Sequence, residues 1–195
     1  MCHALLGDAS FHRHLLELDR RTAAQARDAG CPTCGGPLHV ANYPRKPRGG
    51  LDLPDADAEL RFSFCCGRDG CRRRSTPSSV RFLGRFVHFS VVVTLASALT
   101  QGLSGRRLGI LRRELGLCRR TLERWLRWWR EGVPRTDWWQ RMRAKLACPV
   151  DVAGLPATLL ERFLGDERER ALRLLVELAP LGGTAPMAAR SAMAR

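Results

Sequence analysis

Cys31-Pro32-Thr33-Cys34-Gly35-Gly36 and Cys66-Gly67-Arg68-Asp69-Gly70-Cys71 are the two stretches that decide how this chain reads. Each is a short turn able to aim two thiolates at one point, and the glycines leave backbone N–H groups free to approach sulfur. Four thiolates from two such turns make the tetrahedral sulfur cage that Zn²⁺ accepts without redox chemistry, and iron would fit the same cage. The pattern Cys-x2-Cys, 31 residues, Cys-x4-Cys thus assigns Cys31, Cys34, Cys66 and Cys71 as metal ligands. Cys65 competes with Cys66 for the third place. Cys66 is preferred because Gly67 follows it as Gly35 follows Cys34, and Cys65 then reads as a strand residue.

Working outward, Leu38-His39-Val40 and Leu60-Arg61-Phe62-Ser63-Phe64 alternate and flank a Pro/Gly-rich loop, the pattern of a β-hairpin. So few large apolar residues cannot hold such a segment together by burial, which makes the metal structural rather than catalytic. A thioredoxin-like role for Cys31 and Cys34 is disfavoured because no βαβ pattern surrounds them. His39 and His88 lack ligand spacing and read as ordinary solvent or core histidines. Cys2, Cys118 and Cys148 read as small packing residues.

Upstream, Asp8 or Ser10 can cap an amphipathic helix carrying Leu15, Leu16, Leu18, Ala23, Ala24 and Ala26, which Gly30 ends. Downstream, Phe86–Leu99 reads as a buried helix, Ser104 caps another through Glu114, Gly116 breaks it, and Arg119–Glu131 forms the next until Pro134. Further helices are expected around Trp138–Leu146, Pro156–Phe163 and Asp166–Leu178, with an unstructured tail beyond Pro180. The expected fold class is mainly α with a small β zinc ribbon and a helix-turn-helix bundle. Its organisation is an N-terminal helix (1–30), the ribbon (31–85), a DNA-binding region (86–135), C-terminal helices (136–180) and a disordered tail (181–195).

The 195 residues suffice for one ordinary domain or two small ones. Thirty-three Lys and Arg against nineteen Asp and Glu leave a net charge of +14, which favours a polyanion such as nucleic acid, although an acidic protein or a ribosome-like surface also fits. Only Lys46 and Lys145 are lysine, so arginine richness is discounted as a reflection of GC-rich codons. The distribution of the charge is more telling: +9 falls within residues 105–145 and +5 within 43–85. The uncharged stretch Phe86 to Gly105 carries His88, Ser90, Thr94, Ser97, Thr100, Gln101 and Ser104, too polar for a membrane span. No apolar signal-peptide core follows Met1, so a cytoplasmic, reducing location is expected, where cysteines serve as metal ligands more often than as disulfides.

Within the basic region, Leu111, Leu115, Leu117, Leu122 and Trp125 are spaced to close two helices on one small core across a turn at Gly116. On the second helix Leu122, Trp125, Leu126 and Trp129 repeat at i, i+3, i+4 and i+7 and would face inward, leaving Arg119, Arg120, Arg124, Arg127 and Arg130 outside. Such a helix can enter the major groove of double-stranded DNA. Arg120 and Arg124, near its start, are expected on guanine edges, Arg127 or Arg130 on phosphates, and Thr121 on a phosphate or base. Arg112 departs from the motif, which usually has a small residue there. Trp128, Trp129, Trp138 and Trp139 read as core and corner residues rather than base-stacking platforms. The loop from Tyr43 to Gly50 ranks second as a DNA contact: it is extended and basic, and could lie along a groove or phosphate ridge.

Over residues 30–132 the chain resembles the N-terminal part of bacterial insertion-sequence transposases, in which a zinc ribbon precedes a helix-turn-helix that recognises the element's ends. The resemblance implies Cys31, Cys34, Cys66 and Cys71 as zinc ligands and residues within Arg119–Arg130 as DNA readers. Those transposases continue into a catalytic domain with three carboxylates binding two metal ions, whereas here only 61 residues follow Pro134. Asp137, Asp151, Glu161, Asp166, Glu167, Glu169 and Glu177 sit in helical or capping contexts. The expectation is therefore a non-enzymatic, zinc-binding, DNA-binding accessory or regulatory protein of a mobile element. The alternatives are a truncated transposase or nuclease subunit acting with a separate catalytic chain, and a scaffold that binds protein through its Trp-rich helices.

Overall fold

Asp8 opens the first long helix: its carboxylate accepts the amides of Ser10 at 2.8 Å and Phe11 at 3.2 Å, satisfying donors that no helical turn can reach. In the computed structural model, which describes residues 3–45, 47–48, 55–84, 86–100, 109, 113 and 115–183, a single turn, α1 (His3–Leu6), precedes this helix, α2 (Ala9–Asp28). Gly30, at φ 77°, turns the chain out of it. About half of the chain is helical, with a small antiparallel β component.

The β segments are β1 (Leu38–Val40), β2 (Tyr43–Pro44), β3 (Leu60–Arg61), β4 (Phe64–Cys66) and β5 (Arg74–Ser75). The two expected runs do pair, but in two pieces. In β1-β4-β5, Leu38 faces Cys66 and Val40 faces Phe64, while β2 and β3 form a separate two-stranded ladder. Asn42 makes the break: its Oδ1 accepts the Ser63 amide at 3.0 Å, substituting a side chain for a ladder partner.

A helix was expected from Phe86, yet α3 spans Ser90–Thr100. The amide of Arg48 donates to the Val87 carbonyl at 2.8 Å, and His88 and Phe89 form bridges with Arg48 and Phe82, so these residues are held extended. From Val91 to Ser97 every residue of α3 is buried. A helix apolar on all sides belongs at the centre, and α3 indeed contacts α1, α4 (Arg119–Arg127), α6 (Ala157–Leu160) and α7 (Glu167–Leu178).

The first helix expected of the helix-turn-helix, Ser104 to Glu114, lies largely outside the described residues. The turn before α4 uses Gly116 at φ 61°, a left-handed conformation that costs other residues about 1–2 kcal/mol. α4 runs on as a π-type turn (Trp128–Gly132) and a 3₁₀ turn (Val133–Arg135) instead of reaching Glu131 as regular helix. Pro134 has no N–H to give to the turn before it, and the wider turn leaves both Trp129 and Val133 fully buried. Thr136 then caps α5 (Asp137–Ala144), and Asp166 with Glu169 forms a capping box at the start of α7.

Two apolar clusters result. The larger is helical and centres on α3, Trp125, Trp129 and Leu174; the smaller joins Leu16 and Ala23 of α2 to Leu38, Phe62, Phe64, Cys31 and Cys66. Between them lies an ionic joint. Asp19 accepts from Arg81 Nε at 2.9 Å, Ser79 Oγ at 2.5 Å and Val80 N at 2.8 Å, while the Arg81 guanidinium also donates to the carbonyls of Asp57, Ala58 and Leu60. Ordered packing also runs past Pro180, where a tail was expected: a 3₁₀ turn reaches Gly182, whose carbonyl accepts from the buried Arg61 at 2.7 Å. A β-carbon at Gly182 would collide with the Phe82 carbonyl, so only glycine fits.

Candidate metal centre and basic helix face

The four expected cysteines meet in one place. The sulfur atoms of Cys31, Cys34, Cys66 and Cys71 all lie within 4.8 Å of one another, with Cys34 to Cys66 at 3.5 Å and Cys31 to Cys71 at 3.8 Å. A disulfide needs about 2.05 Å, so these are free thiols. The first turn leaves α2 at Gly30 and is closed by the amides of Gly35 and Cys31, which bond Cys31 O and Gly36 O at 2.8 Å each. The second follows β4, where the Arg68 amide donates to Cys66 Sγ at 3.4 Å.

Strand parity settles the choice between Cys65 and Cys66. Alternate residues of β4 point to opposite faces: Phe64 and Cys66 enter the small core beneath the turns, and Cys65 lies on the other face. Its thiol donates to the Arg72 carbonyl at 3.4 Å. That contact sits beside a strained residue, since Arg72 has φ 46° just after Cys71, in the place that Gly35 takes after Cys34. His39 is exposed and packs against Gly67, leaving no room for a β-carbon there.

The thiols titrate differently for physical reasons. Amides of Thr33 and Cys34 and the neighbouring thiols stabilise the Cys31 thiolate and bring its pKa down to about 6, against the opposing effect of burial. For Cys66 the Arg68 amide also pulls down, but burial and the three surrounding thiols outweigh it and push the pKa up to about 12. A divalent cation would replace those protons, and four sulfur donors clustered in this way can hold one metal ion.

The second expected site is α4. Leu122, Trp125 and Trp129 are buried against α3 and its neighbours, as the periodicity required, and Leu126 is half-buried. Arg119, Arg120, Arg124, Arg127 and Arg130 are all exposed, but they are not equivalent. Arg119 pairs with Glu123 at 2.7 Å, and Arg130 donates to the Ala153 carbonyl at 3.1 Å. Arg120, Arg124 and Arg127 have no carboxylate partner among the described residues; their i, i+4, i+7 spacing makes them a stripe. Thr121 is half-buried and lies 3.1 Å from the Cys118 thiol at the helix start. The Thr121 hydroxyl, the Thr121 amide and the Arg120 amide lower the Cys118 pKa.

His88, expected as an ordinary solvent or core histidine, lies in the core. It is buried with its ring edge-on to Trp125 at 4.8 Å, and its Nδ1 has no hydrogen-bond partner among the described residues. Burial, and then the charges of Arg48 and Arg124, keep its pKa below the usual imidazole value. Trp138 serves the core, as expected, and its indole N–H donates to the Glu177 carbonyl at 2.6 Å. No helix among the described residues is long and apolar enough to cross a membrane. Comparison of the chain with protein-family models, with curated proteins and with solved structures finds no match in any of the three.

Proposed function

We propose that this is a zinc-stabilised protein that binds double-stranded DNA through α4, serving as an accessory or regulatory factor of a transposase-like mobile element in the bacterial cytoplasm. The observation that carries the reading is the stripe Arg120, Arg124 and Arg127, free of carboxylate partners among the described residues, on a helix whose opposite face is anchored by Leu122, Trp125 and Trp129. An arginine on a guanine edge is worth about 1–3 kcal/mol of discrimination, and one on a phosphate adds salt-dependent affinity alone.

Zinc suits the sulfur cluster. Arms of about 2.3 Å give a tetrahedron with edges near 3.8 Å, close to the 3.5 and 3.8 Å separations of the Cys34–Cys66 and Cys31–Cys71 pairs. Zinc there would act by fixing the two turns, with no open position and no chemistry of its own. The reading assigns this chain no catalytic role, and a separate catalytic chain is the partner it would work with.

Selection of bound sequences from random duplex DNA tests the proposal, followed by fluorescence anisotropy of Arg120→Ala and Arg127→Ala at several salt concentrations. Enrichment of a defined motif, with relaxed preference in Arg120→Ala, is expected. Arginine variants that stay folded and bind every sequence as the parent does would overturn it.

A further inference from the structure

After β2, Arg45 and Arg48 are tied to the segment from Gly84 to His88. The first arginine is used up structurally: Arg45 donates to the Phe86 carbonyl at 2.6 Å and the Gly84 carbonyl at 3.3 Å, with its guanidinium over the Phe82 ring at 5.6 Å. The next described arginine is not. Arg48 bonds through its backbone amide to Val87 and bridges to His88, while its side chain stays exposed. From the other side Arg124 reaches the same segment. It lines an open groove of about 520 Å³ with Phe86, Val87, Trp128 and Thr136. His88, between them, feels both positive charges.

Val87 joins the two arginines, since its carbonyl accepts the Arg48 amide and it lines the groove with Arg124, and elsewhere the chain answers such positive charge with carboxylates: Arg20 holds Asp55 and Asp57, and Arg81 holds Asp19. No carboxylate among the described residues answers Arg48 or Arg124. A polyanion would supply the missing charge, and adjacent phosphates of one strand present it at the regular spacing of a nucleic-acid backbone.

We infer that Arg48, from the loop after β2, and Arg124, from α4, form one clamp on two neighbouring phosphates of the DNA backbone, so that the cysteine-bearing module and the helix grip the same strand. The clamp rests on the DNA-binding reading of α4 and refines it. Arg124, expected on a guanine edge, sits toward the groove side of the helix beside Trp128 and becomes a positioning contact, while Arg120 stays the candidate for the bases and Arg127 for a phosphate.

Fluorescence anisotropy of full-length Arg48→Ala, Arg124→Ala and the double variant, against a set of duplexes at 50 to 200 mM salt, tests the clamp; circular dichroism and metal content verify folding. Each phosphate contact contributes about 0.9 to the slope of log K against log salt. Each single variant should therefore show a salt-induced loss of affinity about threefold smaller over that range, the double about tenfold smaller, with the ranking of sequences unchanged. Arg48→Lys should keep most of the slope. The clamp is overturned if Arg48→Ala retains the parent affinity and slope while Arg120→Ala weakens binding, a result that spares the role of α4. It is equally overturned if Arg124→Ala relaxes sequence preference. If the parent protein shows no salt-dependent binding to duplex DNA, both the clamp and the reading beneath it fail.

Discussion

Replacing Asp19 by Ala strips the paired carboxylate from a guanidinium that the fold has sealed off from water. The Arg81 and Asp19 side chains are 4% and 1% exposed, and the Arg81 guanidinium also lies over the rings of Phe62 and Phe82, at 5.3 and 5.0 Å from their centroids. Burial already lowers the Arg81 pKa, and Asp19, followed by Asp57, opposes the effect. Breaking a buried pair from one side typically costs about 3–5 kcal/mol, because the remaining charge is left uncompensated. The Val80 amide and the Ser79 hydroxyl lose their acceptor in the same step, and that penalty falls within or slightly above the range. Against a typical total stability of about 5–15 kcal/mol, the variant should be marginal. Asp19→Asn, which keeps an acceptor oxygen, should lose less. The double variant Asp19→Leu with Arg81→Met should be more stable than the sum of the single losses predicts, because neither charge is stranded. Urea unfolding followed by tryptophan fluorescence gives these values. A loss below about 1 kcal/mol for Asp19→Ala would refute the claim that this pair joins α2 to the 79–81 segment and, through Arg81, to the carbonyls of Asp57, Ala58 and Leu60.

Cys66→Ser should lower bound metal well below one ion per chain by elemental analysis, whereas Cys65→Ser should leave it near that value; equal losses would mean that strand parity does not decide the ligand set. Trp125→Ala should destabilise the protein by about 3–5 kcal/mol in urea unfolding, since its side chain is fully buried among α3, Leu122 and His88. A loss near zero would place α4 off the core.

The sulfur cluster was legible because its information is local: two short turns carry all four ligands, and only their mutual approach needed the fold. The choice of Cys66 over Cys65 was legible through the glycine that follows, and β4 reaches the same answer by a different physical route. Asp19 was missed, although it lay in plain view. It follows Leu15 by four residues and precedes Ala23 by four, so it occupies the apolar stripe of α2, where a carboxylate must find a partner. That partner is Arg81, 62 residues away, and no sequence spacing could name it. The start of α3 was misplaced for the opposite reason. Phe86 to Phe89 is an apolar run that suits strand and helix alike, and it was decided by the carbonyl of Val87 meeting the amide of Arg48 from a distant loop.

These long-range contacts give the β module a role beyond holding its cysteines together. One route leads from the sulfur turns through the core of Phe62, Phe64 and Leu16 to α2, and from Asp19 through Arg81 to the segment entering α3. Another leads from β2 through Arg45 and Arg48 to the carbonyls of Phe86 and Val87, and from His88 to Trp125 within α4. Both routes end on elements that position α4, one on the helix it packs against and one on its own buried tryptophan. A metal ion at the cysteines would therefore do more than stabilise two turns. By fixing the module it would fix the position of Arg45 and Arg48 relative to the arginine stripe, so the spacing between two cationic surfaces would follow from the integrity of the cysteine cluster.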